Sequence, residues 1–217
     1  SHESILITVK EEFDTSRAVK ADLPFEGRNL VTVLKLNIVS RIQTDNYPYN
    51  YMTSVFVRRD DPRTLVKLAG SSQEWCGTTY KEVVTWDGPP RLVFHSYFDG
   101  QADGAHPMPL EGGALLDDQL LLVLRAASLD KGARYTVPLY DSLITNSARA
   151  SEAKPFTIVL SGEEEIVTPA GPFQTRRIDV LPPSGVGQPL MSYWIEKEGR
   201  RALVKFEAAD GRSLLLK

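Results

Sequence analysis

The chain has 217 residues, and its 25 basic and 28 acidic side chains are interspersed, for a formal charge of -3. A chain of this length buries roughly 70% of the surface its unfolded form exposes, so it can hold a core without staples, and the mixed charge excludes the basic footprint that nucleic acid or an anionic bilayer requires. The single cysteine, Cys76, excludes an intrachain disulfide and a cysteine-only zinc site.

At the start, Ser1-His2-Glu3 carries neither an initiator Met nor a signal sequence, and Ser1-His2 is read as the remnant of a processed leader or of a tag. No segment approaches the ~18 consecutive apolar residues that cross a bilayer. Residues 4–10 and 30–39 are short and β-branched, which predicts strands. Both carry apolar groups on both faces, so both are expected to be covered on each side. Residues 14–25 between them predict a helical turn that Pro24 ends.

Residues 52–58 and 64–68 predict a hairpin turned by Asp60-Asp61-Pro62, after a loop at Tyr47-Pro48-Tyr49-Asn50-Tyr51. A second hairpin is expected from residues 75–86 and 91–98, with Asp87-Gly88-Pro89-Pro90 as its turn. Residues 99–110 are rich in glycine and proline and read as a solvated connection. The helix expected over Asp117 to Ala127 repeats Leu116, Leu120 and Leu124 at four-residue steps, which buries one face, and Asp117 and Asp118 suit its positive N-terminal end. Residues 134–139 and 143–144 follow as short apolar segments. A polar connection at 146–155 marks a seam within what is read as one domain, 1–217.

Beyond it, residues 156–160, 164–168, 173–180, 190–195 and 202–207 predict strands separated by glycine- and proline-bearing turns, among them Ser161-Gly162 and Pro169-Ala170-Gly171-Pro172. Strands joined this tightly run antiparallel. The fold class expected is all-β, mainly antiparallel: a strongly curled sheet or partly open barrel with one short helix.

Thr168-Pro169-Ala170-Gly171-Pro172-Phe173-Gln174-Thr175, followed by Tyr193-Trp194-Ile195-Glu196-Lys197-Glu198-Gly199-Arg200-Arg201-Ala202-Leu203-Val204, resembles the closing hairpins of bacterial secreted domains of unknown function. Tyr47-Pro48-Tyr49, Met52-Thr53-Ser54, Ser72-Gln73-Glu74-Trp75-Cys76-Gly77 and His95-Ser96-Tyr97-Phe98 are similar to uncharacterised lipoproteins of bacterial envelopes. The resemblance implies export to the periplasm or outer membrane, a lipid anchor in the precursor, and a curled antiparallel sheet that shelters a hydrophobic small molecule or an envelope protein. It brings no catalytic residues and no cofactor.

Trp75, Cys76, Tyr80, Trp86, His95 and Tyr97 form the ligand-binding set expected from the residues themselves, since bulky aromatics with a few polar groups make a pocket lining. The rival reading is a cysteine-dependent hydrolase or transferase in which His95 lowers the pKa of the Cys76 thiol, and a third is a structural scaffold. His95, Asp99, Asp103 and His106 have the spacing of a loop that could hold a metal, but Leu110 stands where a calcium loop needs its bidentate Glu, and no metal site is expected. Tyr47, Tyr49 and Tyr51 alternate, as stacking residues or as a half-buried strand would.

Overall fold

The computed structural model describes residues 3–148 and 151–217. Ser1-His2 and two residues of the 146–155 connection lie outside them. Among the described residues strand makes up 56% and helix 6%, in two strongly curled, mainly antiparallel half-barrel sheets with one α-helix. The chain divides into two compact units, Ser1–Gln119 with Asp141–Glu152, and Leu120–Tyr140 with Ala153–Lys217.

The first unit carries β1 (Glu3–Asp14), β2 (Val19–Lys20), β3 (Leu30–Gln43), β4 (Pro48–Arg58), β5 (Leu65–Glu74), β6 (Gly77–Val84), β7 (Arg91–Ser96) and β8 (Asp103–Pro107). They pair in the order β2-β1-β3-β4-β5-β6-β7-β8. A short strand, β9 (Leu115–Leu116), precedes the helix α1 (Asp117–Ala126). Across the first sheet Leu36, Val55, Leu68, Val83 and Leu92 stand opposite one another in successive strands. All five are fully buried. This row is the core of the unit, each side chain contributing about 1.5–3 kcal/mol by leaving water. The pairing of β4 with β5 shifts register at Phe56/Val57, the kind of irregularity at which a strand bends.

In the second unit β10 (Arg134–Tyr140), β11 (Lys154–Thr168), β12 (Gly171–Leu181), β13 (Met191–Glu196), β14 (Leu203–Ala208) and β15 (Ser213–Leu215) pair each with the next, antiparallel. Ile178, Tyr193 and Phe206 stand in one buried row. On the other face the Trp194 ring lies beneath Arg177 and Lys205, at 5.0 and 4.5 Å from its centroid, and its Nε1–H donates to Glu164 Oε1 at 2.7 Å.

Several expectations are corrected. Residues 14–25 form no helix: Asp14 accepts from Ser16 N and Oγ, Ala18 takes a positive φ, and Val19–Lys20 turn back to pair with Phe13 and Asp14. Ser161-Gly162 is no turn, because β11 runs through it and absorbs the irregularity as a register shift between Leu160 and Gly162. The segment 75–86 is not one strand either; β5 continues to Glu74 and the chain reverses at Trp75-Cys76. Residues 103–107, read as solvated connection, pair with β7. The two-sided cover expected for β1 fails: Ile5, Ile7 and Val9 are 54%, 45% and 39% exposed. Finally, α1 buries more than one face, Leu121 and Leu122 as well as Leu120 and Leu124. Its polar side chains are paired instead of solvated, Gln119 Nε2 donating to the Pro62 and Arg63 carbonyls.

Candidate functional site

The β3–β4 and β5–β6 hairpins end beside each other. Thr44 Oγ1 donates to the Tyr47 carbonyl at 2.7 Å and shapes the first turn; Glu74 pairs with Gly77 across the second, which leaves Trp75 and Cys76 as its two loop residues. Residues two apart along a strand share a face, so the Tyr47, Tyr49 and Tyr51 rings stack in sequence, with centroids 5.4 and 6.4 Å apart. Trp75 adds a fourth ring, 5.5 Å from Tyr47 and tilted by only 16°. Each such contact is worth about 0.5–1.5 kcal/mol beyond burial, enough to fix the column.

Cys76 Sγ lies 2.8 Å from the Tyr47 hydroxyl. That hydrogen bond first, then one to Tyr49, holds the Tyr47 pKa well above the ordinary tyrosine value. Tyr97 completes this end of the sheet: its N–H donates to the Thr78 carbonyl, and its ring crosses Gly77 so closely that a Cβ there would stand 2.5 Å from Cδ1. Only glycine leaves room for that ring. Trp75 and Tyr97 remain 77% and 76% exposed.

The six expected residues therefore separate. Trp75 and Cys76 meet at Tyr47, and Tyr97 lies over Gly77, the residue after them. Tyr80 and His95 are direct cross-strand partners on the opposite, open face, where the Tyr80 hydroxyl donates to Glu82 at 2.8 Å and His95 Nδ1 lies 3.3 Å from Asp103. Burial, and then Glu82, raises the Tyr80 pKa. Trp86 lies beyond the other end of β6, packed on Phe13, Ala18 and Val33 beneath Lys67. Four residues along β6 separate Cys76 from the Tyr80–His95 pair, a span of about 13 Å at the rise of a strand, so the thiol meets a phenol and not the imidazole. The proposed metal-loop residues are also divided: His95 and Asp103 share the open face, whereas His106 stacks on Phe94 on the buried one. Among the described residues no group of three His, Cys, Asp or Glu is placed to hold a metal ion.

Two features escape the sequence reading. One is an apolar patch on the open face, where Ile5, Val39 and Met52 pair directly and are 54%, 37% and 43% exposed. The other lies on the buried face. Lys81 is 1% exposed, and its ammonium donates to the Thr145 carbonyl, Thr145 Oγ1 and the Ser147 carbonyl at 2.9, 3.0 and 2.8 Å. Burial pushes its pKa down to about 8. Nearby Asp118, also buried, accepts from Ser142 Oγ and Leu143 N, both at 2.7 Å, and burial raises its pKa despite those bonds. The alternation Thr79, Lys81, Val83 was the available signal: it sets a lysine on the apolar side of a strand.

A family model described as "Protein of unknown function (DUF3108)" matches residues 71–212, well over half of the chain. No curated protein and no solved structure matches.

Proposed function

The chain belongs to the DUF3108 family of proteins of unknown function, and we propose that it is a non-enzymatic binding module whose aromatic end takes a hydrophobic ligand or the apolar part of an envelope partner. The observation that carries this reading is the exposure of Trp75 against a stacked tyrosine column, with Tyr97 exposed over the adjoining Gly77. Folding alone gains little from holding two large rings in water, whereas a ligand that covers them recovers the full benefit of burial. The column fixes the rings in advance, which lowers the ordering cost of binding. At the same place the only thiol partners a phenol that resists ionisation, which favours binding over thiol chemistry. Export to the periplasm or outer membrane, with a lipid anchor in the precursor, belongs to the same proposal and is supported by the likeness of the Trp75-Cys76 region to envelope lipoproteins. Recovery of the native protein from the cytosol in cell fractionation would remove that part.

The test is titration with the fluorescent fatty acid cis-parinaric acid. We expect saturable binding, weakened about tenfold or more in the double variant Trp75→Ala/Tyr97→Ala, as hot-spot aromatics require. Equal affinity in a variant that retains its native circular dichroism would overturn the reading.

A further inference from the structure

The first sheet ends differently on its two sides. On one side β8 is five residues long and includes Gly104 and Pro107, residues that weaken strand pairing. On the other stands β1, twelve residues long, which β3 pairs along its whole length while β2 pairs only Phe13 and Asp14. No strand among the described residues pairs residues 4–10 of β1 from that outer side. The Ala21 amide donates to the Glu12 carbonyl at 2.8 Å, so the backbone groups of Glu12 face this edge. Those of Ser4, Leu6 and Lys10, at even spacings along the same strand, face it too.

A long edge is ordinarily protected by a proline, a bulge or a charge pointing inwards. Residues 4–9, Ser-Ile-Leu-Ile-Thr-Val, contain no proline, no glycine and no charged side chain, and their register with β3 is unbroken. Such a segment pairs readily with a further strand. Its exposed Ile5, Ile7 and Val9 share the open face, and the apolar patch continues inwards from Ile5 through Val39 and Met52.

The order of residues in β1 selects the occupant. A two-fold axis normal to the sheet sets β1 antiparallel to β1 of a second copy, and the pleat then places odd residues opposite odd ones. With Leu6 on the axis, Glu3 would stand opposite Val9; with Thr8 on the axis, Glu11 would stand opposite Ile5 and Lys10 opposite Leu6. With Ile7 on the axis, Ile5 and Val9 face each other on both sides of a central Ile7 pair, and Ser4 takes Lys10. Glu3 and Glu11 meet in this register, but each has a cation on its own side: Arg41 is the direct partner of Glu3, and Lys35 lies 3.4 Å from Glu11. We propose that the protein forms a symmetric dimer in which residues 4–10 of β1 pair with the same residues of a second copy about Ile7, joining two eight-stranded sheets and their apolar patches into one. The dimer goes beyond the aromatic end described above, to which β1 contributes no residue.

The experiment is sedimentation equilibrium of the full chain. Concentration-dependent dimerisation is expected between about 1 and 100 μM, and Ile7→Lys, at an exposed position, should weaken it about tenfold or more by setting two ammonium groups opposite each other at the axis. Opposed residues outside the hydrogen-bonded pairs lie about 4.5 Å apart at Cα, within reach of a disulfide. Ile7→Cys in a Cys76→Ser background should therefore cross-link two copies on treatment with diamide, whereas Ile5→Cys in the same background, placed against Val9, should not. A chain that stays monomeric throughout, a dimer that Ile7→Lys leaves intact, or cross-linking at Ile5 in preference to Ile7 would overturn the proposal.

Discussion

Replacing Lys81 by Met changes two opposing terms of similar size. The three hydrogen bonds to Thr145 and Ser147 are worth about 1 kcal/mol each, roughly 3 kcal/mol together. Against this, the pKa falls from 10.5 to about 8 on burial, and at about 1.4 kcal/mol per unit removing the buried charge returns about 3 kcal/mol. At pH 7 the two nearly cancel, so the stability of Lys81→Met there says little about the site. The pH dependence says more. Because the folded pKa lies below the unfolded one, between pH 8 and 10.5 the unfolded chain holds a proton that the folded chain has released, and stability rises with pH across that window. From pH 7 to pH 10 the unaltered protein should gain about 2–3 kcal/mol relative to Lys81→Met. Urea unfolding of both proteins at the two pH values measures it, since tyrosines and other titrating groups are common to both and cancel. Parallel profiles, with no relative gain, would refute the account of Lys81 as a charge held at a desolvation cost.

Three further outcomes follow from the same structure. Asp118 has its pKa raised by burial, so below that raised value and above 3.8 the folded chain holds the extra proton; the unaltered protein should therefore gain stability relative to Asp118→Asn as the pH falls from neutral towards 4 in urea unfolding. Gly77→Ala places a methyl 2.5 Å from the Tyr97 ring and should displace it, with fatty-acid affinity reduced several-fold and stability lowered by only about 1 kcal/mol. Leu36→Ala empties a fully buried position and should cost about 2–5 kcal/mol, whereas Ile7→Thr, on the open face, should cost less than about 1 kcal/mol; equal costs in chemical denaturation would contradict the assignment of the two faces of the first sheet.

Much of the architecture is legible in the chain because turn chemistry is local. Proline and glycine punctuate the second half, and the β12–β13–β14 meander falls where those residues place it. The continuity of β11 is not legible, since a Ser-Gly pair reads identically as a hairpin turn or as a bulge until the register with Arg177 and Ile178 is known. The faces of β1 are obscured for a similar reason. Its alternating Ile and Leu residues fit a strand covered on both sides, and nothing local reveals that one side is left open. The candidate site was half visible: Trp75 and Cys76 share one turn, with Tyr97 over the next residue, Gly77, but Tyr80 with His95 and Trp86 are carried elsewhere by strand parity and by the length of β6. Reading the turn at Trp75-Cys76 as strand is what joined them. The bonding of Lys81 depends on a segment more than 60 residues away in sequence, a pairing that no local pattern encodes.

The most direct test of binding at the aromatic end is a two-dimensional amide NMR titration of the isotopically labelled full chain with a medium-chain fatty acid. The account predicts saturable shift changes concentrated at residues 47–51, 74–77 and 97. Changes confined to the open apolar face around Ile5, Val39 and Met52, or no saturable change at all, would contradict it.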